Sequence, residues 1–370
     1  MIETPASHLQ YSSNPMESAP LNEARDPLTV LKCKWGIYTH GTLRQRCREL
    51  DGDQYLIADL IPKRSLSIVV GDSGLGKSPL LYQAALCVAE GISFLGKPVT
   101  RGRVLYMDFE NGLGGVDDLV SRLSIHLGVS SISENLFLFN YNDAPPNWTS
   151  EHLRAMIADL RPDWIILDPI ASFAPDIEEN KSVTLTYQRF RNVIKDYSTS
   201  ITSVHHPRKP STHPQARIPD LEIDPHGWFL QTRGARQLIN GADIRLGIDK
   251  CRRAESLTEL DGRSVEVALM LAGFGRLRGT IEPVYVGRLL GDDDEPMGYA
   301  QLHGASLLFN TERQSAFESL PDQFTFKQAK QTLRKGSQAT SDFLRKCQSV
   351  GILRKEGRQY RKIKVAEPMD

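Results

Sequence analysis

The sequence predicts an α/β protein, a mostly parallel sheet with helices on both faces, followed by a small C-terminal helix-turn-helix domain with a β wing. A glycine-rich turn, GDSGLGKS over 71–78, joins an apolar β-branched run to a helical pattern. Further apolar runs alternate with helical segments, and carboxylates follow two of them. Near residue 313 the composition shifts to two helical patterns and a basic hairpin.

The chain has 370 residues, 40% of them hydrophobic, enough for two domains with a proper core. Lysine plus arginine and aspartate plus glutamate each number 45, so any basic footprint has to be local. Cys33, Cys47, Cys87, Cys251 and Cys347 are scattered and odd in number, unlike a disulfide framework or a zinc site. The opening MIETPASHLQYSSNPMESAP has neither a basic start nor an apolar segment, and no run approaches about 18 apolar residues. A cytoplasmic protein with no membrane partner is expected. Residues 1–27 read as a flexible tail, 28–312 as the α/β domain with its lead-in, and 313–370 as the basic domain.

The strand expected over 67–70 leads into the glycine turn, and Leu81, Ala84, Ala85 and Val88 place a helix over 80–90. Such a loop turns its backbone N–H groups inward while the helix adds its positive end, so Gly71, Asp72, Ser73, Gly74, Leu75 and Gly76 can cradle a polyphosphate. Lys77 would reach the outer phosphates and Ser78 would ligate Mg²⁺. Pro79 lies near the helix start, where a missing N–H costs little. The next strand, 102–108, is followed by Glu110, on the ligand-binding edge of an open sheet and placed to orient or deprotonate a water.

A helix over 116–127, a strand over 136–139 and a helix over 151–160, with Thr149 or Ser150 as its cap, come next. The apolar run WIILD ends in Asp168, which would hold Mg²⁺ through water or Ser78. A loop over 171–183 and a helix over 185–197 precede a strand over 200–204 that ends in His205-His206. His206 is the candidate phosphate sensor; a metal pair is the rival, but adjacent histidines in a strand face opposite ways. Residues 207–227 lack periodicity and suit a polymer-contacting loop. A helix over 229–242, strands over 243–249 and 265–272, a short strand at 284–286 and a polar turn over 291–296 close this domain.

The last segment predicts helices over 324–333 and 341–350, the second capped by Thr340 or Ser341, and a hairpin over 354–364 turning at Glu356-Gly357. Residues 323–370 hold twelve basic side chains against four acidic ones, the footprint of a duplex-DNA-binding face; a protein-docking domain is the alternative.

In this order GDSGLGKS, VLYMDFEN, WIILDPIASF, TSVHHPRK and RGARQLINGADIRLGI resemble the RecA-like P-loop ATPases of the RepA and DnaB replicative-helicase group over roughly residues 50–300. The resemblance implies ATP and Mg²⁺ as cofactors and a homo-oligomeric, usually hexameric ring with single-stranded DNA through its centre. It implies nucleotide and metal roles for Lys77, Ser78 and Asp168, catalysis by Glu110, and sensing by His206. Arg233 matches the start of the helix after the DNA loop. The chain departs from the pattern at Asp243, with Arg245 two residues on. Arg276 and Arg278 resemble the K-x-R pair that reaches a neighbour's γ-phosphate, and Arg245 and the Lys250-x-Arg252 pair on the preceding strand are the runners-up. The implied function is a ring-forming DNA motor of a mobile element. An ATP-switched DNA-binding or loader protein, or a regulatory ATPase, is the alternative.

Overall fold

The computed structural model describes residues 36–49, 54–144, 150–177, 179–207, 219–232, 236–254, 257–277, 279–303, 307, 311–349 and 352–363. The chain divides into two units, residues 1–52 and 53–370. The first holds helix α1 (His40–Glu49), absent from the sequence expectation. Thr39 opens it, its Oγ1 accepting from the Thr42 N–H at 3.3 Å.

In the second unit, β1 (Tyr55–Ile57) and β2 (Ile61–Pro62) form a small ribbon. Then follow β3 (Leu66–Gly71), α2 (Lys77–Glu90), β4 (Val104–Asp108), α3 (Leu113–His126), β5 (Leu136–Asn140), α4 (Ser150–Leu160), β6 (Trp164–Asp168), the short α5 (Ile170–Phe173), α6 (Asn180–Tyr197) and β7 (Ser200–His205). After α7 (Pro225–Phe229) and α8 (Arg236–Gly241) come β8 (Ile244–Lys250), β9 (Glu259–Leu260), β10 (Arg263–Gly275), β11 (Gly279–Leu290) and β12 (Pro296–Gln301). The main sheet runs β12-β11-β10-β8-β3-β7-β6-β4-β5. Its section from β8 to β5 is parallel, and β10, β11 and β12 extend it antiparallel.

Strand alternation divides the core between the two faces. Val69, Val104, Tyr106, Trp164 and Ile166 pack with α2 and α3. Leu66, Ile68, Val70, Leu105, Met107, Ile165 and Leu167 pack with α4, α6, α7 and α8. Strands buried on both faces read as continuous apolar runs, which is why these were legible.

Several expected boundaries move. The helix over 229–242 is replaced by two short ones, because Thr232 forms an extended bridge with Pro207 and cannot continue a helix. The helix over 185–197 starts at Asn180, with Val183 buried in line with Tyr187 and Phe190. The turn after 291 is followed by a strand, β12, whose first residue is Pro296; an edge strand tolerates a missing N–H there.

The C-terminal part comprises α9 (Thr311–Glu318), β13 (Gln323–Thr325), α10 (Phe326–Leu333), α11 (Ser337–Ser349), β14 (Leu353–Glu356) and β15 (Gln359–Lys362). Its three-stranded sheet has the order β13-β15-β14. A separate core of Phe317, Leu320, Phe324, Leu333, Phe343, Leu344 and Tyr360 holds it, with Phe324 and Tyr360 stacked at 5.7 Å. Phe324 belongs to a strand rather than to the expected helix, and Thr325 caps α10 through a reciprocal box with Gln328. Thr340 lies inside α11, buried, its hydroxyl donating to the Gly336 carbonyl at 3.0 Å, so neither it nor Ser341 is the cap.

Candidate functional site

β3 delivers the chain to the C-terminal edge of the parallel strands, where residues 71–76 turn into α2. Gly76 immediately precedes α2 in a left-handed conformation at φ 85°, and no side chain caps the helix, so its first N–H groups remain available to an anion. Pro79 is the third helical residue and removes a donor that would otherwise need a partner. Lys77 is only 5% exposed, and its ammonium crosses the loop to donate to the Asp72 carbonyl at 2.8 Å. Burial lowers its pKa, opposed by the charges of Asp168, Asp72 and Glu110.

His206 comes to the same place from the end of β7. Its Nδ1 is 3.3 Å from Lys77 Nζ and 3.4 Å from Ser73 Oγ. His205, still within the strand, is buried, so the two rings diverge as alternation predicts.

Strands β4 and β6 pair in register, setting Asp108 opposite Asp168. Asp168 is buried and accepts hydrogen bonds from Tyr106 Oη at 2.6 Å and from the Ser78 hydroxyl. Burial raises its carboxyl pKa, and those two hydrogen bonds pull it back. A hydroxyl and a carboxylate beside a row of N–H groups form a hard-oxygen set that fits Mg²⁺ on a polyphosphate. Among the described residues no cluster of three or more His, Cys, Asp or Glu offers a rival metal centre.

Glu110 is exposed on the turn after β4. Its N–H and that of Asn111 donate to Asp108 Oδ1 at 2.9 and 2.8 Å, while Tyr82 Oη and Asn111 Nδ2 hold Oδ2 at 2.7 and 2.8 Å. Asp108 thus fixes the backbone from which the Glu110 carboxylate projects.

Sequence reasoning missed the tyrosines behind these carboxylates. Tyr82 and Tyr106 stack with centroids 3.8 Å apart and planes 10° from parallel, and burial raises both phenol pKa values. The available signal was a tyrosine in an aliphatic strand, two residues before a carboxylate and so on the same face. Tyr106→Phe is expected to raise the Mg²⁺ concentration for half-maximal hydrolysis about tenfold, because Asp168 loses the bond that orients it. A magnesium titration of turnover, with a thermal melt as the control for folding, checks this.

Two further residues were missed. Tyr299 Oη on β12 donates to the Gly76 carbonyl at 2.8 Å, and the Arg288 guanidinium hydrogen-bonds Tyr299 and, at 2.6 Å, Glu266. A Cβ on Gly76 would fall within 2.2 Å of Tyr299 Oη and 2.8 Å of Arg288 Nη1.

The arginine candidates lie elsewhere. Gly275 pairs with Ile244, which pairs with Ser67, so Arg276 and Arg245 sit toward the strand-start edge, away from the phosphate loop of their own chain. Arg245 is buried, its guanidinium donating to the Ile239 and Asn240 carbonyls and lying 5.1 Å from the Phe274 ring. Arg276 donates to the Asn240 and Gly241 carbonyls, and Arg191 to Gly241 and Asp243. Three guanidinium groups therefore cap the carbonyl end of α8. Arg233 and Arg278 lie outside the described residues.

Residues 44–212 match the family described as AAA domain, a span that contains the phosphate loop, Glu110, Asp168 and His206. Among solved structures, the KaiC-like protein of the hyperthermophilic archaeon Pyrococcus horikoshii OT3 aligns with TM-score 0.40 and 12% identity, covering 67% of this chain and 94% of that one. No curated protein matches the chain. The family match and the site geometry make the core a P-loop ATPase domain on a RecA-like sheet.

Proposed function

We propose that the protein is an ATP-driven DNA motor, a ring-forming helicase of the RepA and DnaB kind serving a plasmid, phage or integrative element. The observation that carries the hydrolytic part is the convergence of Lys77, Ser78, His206 and Asp168 at one sheet edge, with Glu110 beside them. In this reading the N–H groups of the loop and Lys77 hold the β- and γ-phosphates, and Ser78 and Asp168 hold the cation. Bound Mg²⁺ supplies neutralisation of the phosphate charge. Glu110 orients and deprotonates the attacking water, and His206, already touching Lys77 and Ser73, reports on the γ-phosphate.

An arginine of a neighbouring copy completes the site. Arg276 and Arg278 are the candidates, and Arg276 exchanges its α8 carbonyls for phosphate in that role. Arg245, buried with its guanidinium bonded to two α8 carbonyls, serves the fold. Such a dependence on a neighbour is the reason for proposing a ring, hexameric as in the group resembled, with single-stranded DNA through it.

Support for a DNA substrate comes from the C-terminal part, proposed as a winged-helix domain from 313 onward. Arg354, Lys355, Arg358 and Arg361 stand exposed on the β14–β15 hairpin, and Lys327, Lys330 and Arg345 on the helices. Duplex DNA is its proposed ligand.

The test is ATP turnover of the full chain with and without single-stranded DNA, followed by strand displacement on a forked duplex. A motor responds to the strand and displaces it. Turnover that ignores DNA rejects the motor, and DNA-sensitive turnover without displacement assigns the protein to the loader class. Deleting 311–370 is expected to weaken duplex binding while leaving basal turnover within about twofold, since the hydrolytic residues all precede it; salt-dependent binding before and after truncation checks this.

A further inference from the structure

At the opposite edge of the sheet, the starting ends of β4 and β6 surround an open depression of about 530 Å³ lined by Arg101, Gly102, Arg103, Asn135, Arg161 and Asp163. It is distinct from the hydrolytic site. Asp108 and Asp168 stand at the far ends of the same two strands, four residues on, about 13 Å at the rise of a β-strand.

Three arginines line it, and the guanidinium of each is held by one hydrogen bond. Arg101 Nε donates to the Ala89 carbonyl at 3.1 Å, Arg103 Nη1 to Leu160 at 3.1 Å, and Arg161 Nε to Ala158 at 2.9 Å. The Arg101 stem also lies over Gly91, where a Cβ would meet its Cβ at 3.1 Å. A guanidinium carries five N–H donors, so one anchoring bond leaves most of each group for a ligand while fixing its position.

Among the described residues none of the three is in an ion pair. The nearby carboxylates are turned to the main chain instead. Asp163 Oδ2 accepts from the Arg103 N–H at 2.8 Å, and Glu90 Oε1 from the Ser133 N–H at 2.7 Å. Gly102 lets Asp163 fold in this way, since a Cβ there would lie 2.9 Å from its Oδ2. Helix ends draw cations, and the ends of α2 and α4 account for one bond from each arginine. They do not account for three arginines facing one depression against a single lining carboxylate.

We propose that this depression is a phosphate-binding site, separate from the nucleotide loop, that takes the phosphate groups of a polyanion. Planar guanidinium groups grip phosphate oxygens in pairs, and their prior anchoring removes part of the ordering cost of binding. The two sources of that chemistry are a free polyphosphate and the backbone of a nucleic-acid strand. The assignment does not depend on the ATPase reading.

The test is arginine-specific labelling of the full chain with phenylglyoxal, read residue by residue by mass spectrometry. Labelling is carried out with tripolyphosphate, with a twenty-nucleotide oligothymidylate, and with sodium chloride at matched ionic strength. Several-fold slower labelling of Arg101, Arg103 and Arg161 with either phosphate ligand, relative to chloride, is the expected result. Protection by the oligonucleotide assigns a strand as the source, and protection by tripolyphosphate alone assigns a free polyphosphate. Equal labelling in all three conditions overturns the site, whatever the hydrolytic activity. If a strand is the source, R101Q/R103Q/R161Q reduces the slope of log affinity against log salt by about two, at roughly 0.7 for each phosphate no longer neutralised. An unchanged slope overturns that source. Basal ATP turnover within about twofold of the parent, with Lys77 and Asp168 at the other edge, verifies that the variant is folded.

Discussion

Lys77→Ala is expected to lower ATP turnover by about a hundredfold or more and to weaken nucleotide binding as well. Lys77 is buried, and its ammonium spans the phosphate loop to the Asp72 carbonyl and sits 3.3 Å from His206. It is therefore poised before any ligand arrives, and bound phosphates would supply the counter-charge that burial denies it. Alanine removes that charge and also the brace across the loop. Lys77→Met retains most of the stem, and comparing the two separates packing from charge: equal losses assign the effect to charge. Turnover and the affinity for a fluorescent ATP analogue are the measurements, and normal hydrolysis by both variants would sink the phosphate-loop assignment.

Glu110→Gln gives a different signature, with nucleotide affinity kept and turnover reduced by about 10² to 10⁴, the range of a lost general base. The side chain is exposed, while the backbone beneath it is tied to Asp108, whose carboxylate is held by Tyr82 and Asn111. An amide in place of the carboxylate leaves that support intact, so the melting temperature should not move. Wild-type turnover in the variant would return Glu110 to an ordinary loop residue and move the search for the base to other groups at this edge.

The placement of these two residues at the strand-end edge was legible because each is fixed by local sequence. A glycine turn between an apolar strand and a helix, and a carboxylate just past a strand, need no knowledge of distant segments. The residues behind them are a different case. Tyr106 carries its meaning only once β4 and β6 are in register, and Tyr299 only once β12 has closed the sheet, 223 residues from the Gly76 carbonyl it binds. β12 itself reads poorly as a strand, since PMGYAQ holds a proline and a glycine, and pairing with β11 overrides that weak propensity. The α8 segment reads as a longer helix than it forms, because nothing local announces the Thr232–Pro207 bridge. Arg245 and Arg276 look like free cations in the sequence and turn out to be bonded to the carbonyl end of a six-residue helix.

The bond from Tyr299 to Gly76 has a mechanical meaning. β12 is the outermost strand of the sheet, and Tyr299 is fastened to α2 as well, exchanging two hydrogen bonds with Gln83 at 2.8 and 2.7 Å. Edge strand, phosphate loop and first helix therefore form one stiff bracket, with the left-handed glycine at its corner. Displacement of the rim and displacement of the loop at Gly76 are therefore expected to go together. The corner has no slack to absorb either movement, since even a methyl group on Gly76 would collide with the tyrosine.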